Sequence, residues 1–189
     1  MSENTNFWAI DFLTKSTEKD PVRLLEACFT NENCVAFGPV HHFLVGACLL
    51  TGYAHANNLN DGELREYLNL LSKESTKVPG AACARWGICG AAISAGMAYA
   101  IIAENAPLKT EGWSKDQSMV ARIAEKIASG GAPRCCKRDS RWSVEIARDT
   151  FAKDFNVDFG ETVMSEEIAS PCIVASQNTV CLKSECPYY

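Results

Sequence analysis

Ten of the 189 residues are cysteine and only three are histidine, so the chemistry this chain could concentrate is thiol and thiolate chemistry. The densest group is Gly130-Gly-Ala-Pro-Arg134-Cys135-Cys136-Lys137-Arg138-Asp139. Cationic neighbours and a helix start both favour thiolate over thiol. Arg134, Lys137 and Arg138 therefore lead us to expect a thiol of depressed pKa, or charges that offset a thiolate-bound cofactor. A buried pair acting as small apolar groups is the plain alternative. The second group is Cys172, Cys181 and Cys186 in a non-helical tail. Three thiolates need a fourth ligand to close a tetrahedral zinc site, and a proline after the last cysteine also occurs in ferredoxin-type runs. Incidental thiols are the alternative there.

Cys83 and Cys89 form the third group. Six residues along one helix place them about 240° apart, so they share a metal only if Cys83 lies on a loop before the helix. The fourth is His41-His42. Adjacent side chains diverge, so at most one reaches a given metal, and capping or hydrogen bonding is an equal alternative. His41, Cys48 and His55 are spaced by seven and drift only about 20° per step, which puts them on one face. There is no phosphate-binding glycine loop after a strand, and no GxSxG, HExxH or EF-hand pattern.

These side chains need a scaffold. Hydrophobic residues make up 47% and charged residues 22%, ordinary values that exclude wholesale disorder and a multi-span membrane protein. The length fits one domain, 1–189, divided into an N-terminal helical segment (1–38), a helical core (39–156) and a Cys-rich tail (157–189). The spacing predicts helices around Val22–Phe29, over Val40–Ala56, around Leu64–Leu71 with Asp61 as cap, over Ala81–Glu104, around Val120–Ile127 ending at Gly130-Gly131, and around Trp142–Phe151. Strand signals are confined to Val157/Phe159 and a small hairpin over Ile173–Val180. The fold class is mainly α: a helical bundle around a central Gly/Ala-rich helix, with an irregular tail.

The net charge of −5 is unevenly spread, with 8 basic and 4 acidic residues over 121–153 but 1 basic and 6 acidic over 154–189. This argues against nucleic-acid binding. The basic block either attracts an anionic ligand or pairs with the acidic tail. Ala81–Ala103 has Arg85 as its only charge, yet its Gly/Ala content and missing basic anchors fit a buried helix better than a membrane span. No secretory signal is legible at Met1–Phe7. The expected location is therefore cytoplasmic, where cysteines are reduced or bind metal.

The segments Trp86-Gly-Ile-Cys89-Gly-Ala91 and Pro133-Arg-Cys-Cys-Lys-Arg-Asp139, with His41-His42 before them and Cys181-Leu and Cys186-Pro-Tyr after them, resemble a prokaryotic cysteine-rich family of unknown function. Its members are sometimes methyltransferase-associated, and the resemblance covers roughly residues 39–189. A fainter likeness links Cys89-Gly-Ala-Ala-Ile-Ser-Ala-Gly96 to a helical, redox-active Gly-Cys-Ala-x-x-Cys family.

The leading expectation is a thiolate-ligated centre, iron–sulfur first and zinc otherwise, in a redox or cofactor-handling protein. Cys89, Cys135 and Cys136 would form it, completed by Cys83 or a tail cysteine, with His41 and His42 as further candidates. Two alternatives stay open: a metal-free thiol enzyme using the vicinal pair, and a non-catalytic helical module with structural zinc. A redox partner or small-molecule substrate is expected without being specified, a homodimer is allowed, and no nucleic-acid or membrane partner is expected.

Overall fold

The computed structural model describes residues 6–169 and 171–189, and among them it is all-helical. The order is α1 (Phe7–Thr14), α2 (Pro21–Thr30), α3 (His41–Ala56), α4 (Asp61–Ser75), α5 (Ala82–Arg85), α6 (Gly90–Ala103), α7 (Trp113–Ser129), α8 (Cys136–Asp154) and α9 (Ser165–Ile168). The tail adds only two 3-10 turns, Ala175–Gln177 and Lys183–Glu185. Neither the Val157/Phe159 alternation nor Ile173–Val180 forms a strand. Val157 and Phe159 instead bury singly against the helical core.

Side-chain caps account for the starts of α2 and α4. Asp20 accepts from the Val22 and Arg23 N–H groups at 2.9 Å each, and Pro21 takes the first helical position of α2. For α4 the cap is Asn60, not Asp61, in a capping box closed by Glu63. The expected Ala81–Glu104 helix is broken. Gly87 adopts φ +72 and Cys89 is extended, so α5 and α6 are separate and Cys83 lies outside α6.

The Gly/Ala-rich α6 is central, with Ala91, Ala95 and Tyr99 at most 1% exposed. It packs against α3, α4, α7 and α8, and α3 packs against α1, α2, α4, α6 and α8. Small residues set the α3–α6 distance. A Cβ on Gly46 would lie 2.5 Å from the Ser94 carbonyl oxygen and 3.0 Å from Leu71 Cδ2, while the Gly46 N–H donates to Ser94 Oγ at 2.8 Å. We expect Gly46→Ala to lower stability by about 1–3 kcal/mol through overpacking. Urea unfolding checks this: a midpoint equal to that of the natural protein would mean that the helices part at no cost. Among the described residues, no helix is long and apolar enough to cross a membrane.

Among the described residues, no ion pair joins the basic block to the acidic tail. The block's ion-pair partners among the described residues are Asp20 and Asp149 (Arg148), Glu26 (Arg141) and Asp139 (Arg138). Burial explains the choice: Arg138, Arg141 and Arg148 are all at most 5% exposed, and a buried cation needs a nearby counter-charge.

Candidate metal centre

Three helices begin at one cleft. It is lined by His41 and His42 from the start of α3, Cys89 and Gly90 from the start of α6, and Cys136 and Asp139 from the start of α8, with Cys83 of α5 and Arg134 completing it. None of the three helices has a side-chain hydrogen bond capping its first N–H groups. Uncapped helix starts favour negative charge, so the cleft suits thiolates or another anion.

His41 is the most informative side chain. It is 1% exposed, its Nδ1 lies 2.9 Å from the Gly38 carbonyl, and its Nε2 is buried without a hydrogen-bond partner. Burial, helped by the Lys137 charge, lowers its pKa to about 3, so the ring is neutral. A neutral ring beside a carbonyl donates from Nδ1, which leaves the Nε2 lone pair free. Metal-bound histidines are held in this way. The His42 ring packs against Gly90, where a Cβ would overlap it, and burial lowers its pKa too.

The thiols differ from the expectation. Burial raises the Cys89 pKa to about 12, against an opposing contribution from the Ala91 backbone N–H. Cys136 is also raised by burial, despite the Gly38 backbone and the Arg134 guanidinium, whose Nη1 lies 3.1 Å from its sulfur. The depressed pKa expected from basic neighbours is therefore not found at Cys136: desolvation outweighs them. Without metal these two groups are thiols at neutral pH. Coordination would deprotonate them.

The vicinal cysteines part company. Cys135 caps α8 in an extended conformation while Cys136 is its first helical residue, so their side chains diverge. Cys135 lines a second cleft with Cys172, Cys181, Cys186 and Arg138. A single centre holding Cys89, Cys135 and Cys136 together is not what the fold arranges. Among the described residues, no three His, Cys, Asp or Glu side chains converge on one metal position. The thiols stand on the cleft walls instead.

The remaining candidates have other surroundings. Lys137 lines neither thiol-rich cleft: its Nζ donates to Cys34 at 3.0 Å and sits 4.0 Å from the centroid of the Phe29 ring. Arg138 donates to the Gly131 and Pro133 carbonyls as well as to Asp139. Cys48 is fully buried in the core, and His55 Nδ1 is 2.7 Å from the Glu18 carbonyl, so the seven-residue spacing builds no site. Sequence reasoning gave Asp139 no role in the cleft and missed Cys34. Cys34 stands 103 positions from Lys137, and no spacing rule links residues that far apart.

Residues 10–189 match a family model described as a family of unknown function (DUF5714). The chain belongs to that family. The DUF5714 match starts well before residue 39 and takes in both clefts and all ten cysteines. No curated protein and no solved structure matches the chain.

Proposed function

We propose that this DUF5714 protein holds a thiolate-ligated metal centre between the starts of α3, α6 and α8, an iron–sulfur cluster in the first instance, and serves redox or cofactor handling in the reducing cytoplasm. Cys83, Cys89 and Cys136 would supply the thiolates and His41 Nε2 the fourth ligand. The observation that carries this reading is His41, which lines a cleft with three thiols and whose Nε2 is buried and unpartnered. An unsatisfied buried polar atom costs about 1–3 kcal/mol, and ligation would offset that cost. Arg134 and the three helix starts would offset the negative charge. Thiols spaced around a cleft suit a centre several atoms wide. When bound, an iron–sulfur cluster supplies one-electron transfer at a potential set by its surroundings.

Zinc is the second reading, because three cysteines and one neutral histidine form a common closed zinc set. The third is a metal-free thiol enzyme performing disulfide, sulfur or methyl transfer, and it fits the family resemblance to methyltransferase-associated proteins. It requires a thiolate at neutral pH.

Elemental analysis and absorption spectra of anaerobically purified protein test these readings. We expect about one centre per chain in this cleft, lost in Cys89→Ser/Cys136→Ser. In metal-free protein, alkylation of Cys89 should be slow at pH 7 and accelerate as pH approaches about 12. A colourless protein that refuses iron, sulfide and zinc, with Cys136 alkylated rapidly at pH 7, would sink the metal reading and favour the thiol enzyme.

A further inference from the structure

The fold leaves four thiols around the second cleft. Cys135 comes from the start of α8, whereas Cys172, Cys181 and Cys186 come from the tail. Four is the number of ligands that closes a tetrahedral zinc site. No single element could bring them together, since the first is separated from the others by all of α8 and α9.

The tail needs something to hold it. From 171 to 189 its only regular structure is two 3-10 turns. It buries Val174 and Tyr188 but leaves Ile173, Val180 and Tyr189 at least 57% exposed. Two buried side chains do not offset the conformational entropy lost in ordering such a segment. Small, weakly packed units are commonly held by disulfides or a structural metal, and all ten cysteines are free thiols here.

The surroundings of the sulfurs suit thiolates. The Lys183 N–H donates to Cys181 Sγ at 3.3 Å, with Lys183 at φ +51. The Tyr188 backbone N–H acts on Cys186 in the same sense, against the upward push of burial. In both cases the N–H two residues after the cysteine faces the sulfur. Arg138 lines the cleft and supplies positive charge.

We propose that Cys135, Cys172, Cys181 and Cys186, which line one cleft without converging on a single point, draw together into a tetrathiolate site as one zinc-class divalent cation binds, and that this clamps the C-terminal segment to the start of α8. Binding converts four thiols to thiolates and releases four protons for each zinc ion taken up. The site is separate from the proposed redox centre and stands whether or not that centre exists.

The test uses the full chain carrying Cys89→Ser/Cys136→Ser, so that the first cleft cannot contribute. Reduced, metal-free protein is titrated with zinc chloride and, in parallel, with cobalt(II). We expect one equivalent of zinc, the visible bands of tetrahedral thiolate-bound cobalt, and a tail that resists trypsin at Lys183 until a chelator is added. In the otherwise natural chain, Cys181→Ser/Cys186→Ser should lose one zinc equivalent while keeping the helical circular dichroism and any metal of the first cleft. No zinc uptake in the first protein would overturn the proposal, as would unchanged zinc content in the second. Recovery of the four cysteines as disulfides from anaerobically purified protein would overturn it as well.

Discussion

Replacing Arg141 by Ala should destabilise the protein by about 3–5 kcal/mol, the cost of leaving a buried charge without its partner. Arg141 on α8 reaches Glu26 on α2 through two parallel bonds, Nε to Oε1 at 2.6 Å and Nη2 to Oε2 at 2.8 Å. The two side chains are 6% and 10% exposed, so the carboxylate depends on the guanidinium for most of its charge compensation. The guanidinium also lies 5.2 Å from the centroid of the Phe29 ring and 4.7 Å from that of Tyr188. It thereby joins α2, α8 and the C-terminal segment, and Arg141→Ala should loosen Tyr188 as well as shift the urea midpoint. Glu26→Met/Arg141→Met should recover most of the loss, because a buried pair replaced by apolar groups of similar volume is close to neutral. A shift under about 1 kcal/mol for Arg141→Ala would show a pair already solvated, and the burial argument would fail.

The same residue marks where sequence reasoning stops. Arg141 belongs to a basic block whose existence was plain, but its partner stands 115 positions away on α2. Counting charges left an anionic ligand and the acidic tail as alternatives, whereas burial selected Glu26 and Asp20. Helices α3, α4, α7 and α8 were readable because apolar residues recur there at helical spacing. The α5–α6 break was not, since Trp86-Gly-Ile-Cys89 carries only one glycine between two alanine-rich stretches. That break decides the site, because it frees Cys83 to face the same cleft as Cys89.

The divergence of Cys135 from Cys136 was accessible in principle. Adjacent side chains diverge, an argument that applies to His41-His42 and holds equally for two cysteines across a helix start. The raised pKa of Cys136 was not accessible. Neighbouring cations can be counted in a sequence, but the desolvation that outweighs them depends on three helices meeting, and only the fold supplies it.

Asp116→Asn should stabilise the protein at neutral pH, by on the order of 2–3 kcal/mol. Asp116 is 7% exposed near the start of α7. Its Oδ2 accepts from the Asn105 amide at 3.3 Å, while Oδ1 is buried without a hydrogen bond. Burial raises its pKa from 3.8 to about 6, against the Asn105 hydrogen bond. A carboxyl raised on folding binds more protons in the native state than in the unfolded one between these values. Stability therefore falls as pH climbs from about 4 to about 6, and the full cost of the buried charge is present above that window. Below the window both states are protonated and the cost vanishes. Asn keeps the shape and an acceptor for Asn105 but never ionises. Urea midpoints should thus nearly coincide for the two proteins near pH 3.5 and separate steadily up to about pH 6, with the variant ahead. The gap should then stay constant. A difference that does not change across this range would assign the effect to altered packing against Gly96, whose Cβ position lies 3.3 Å from Asp116 Oδ1, and not to ionisation.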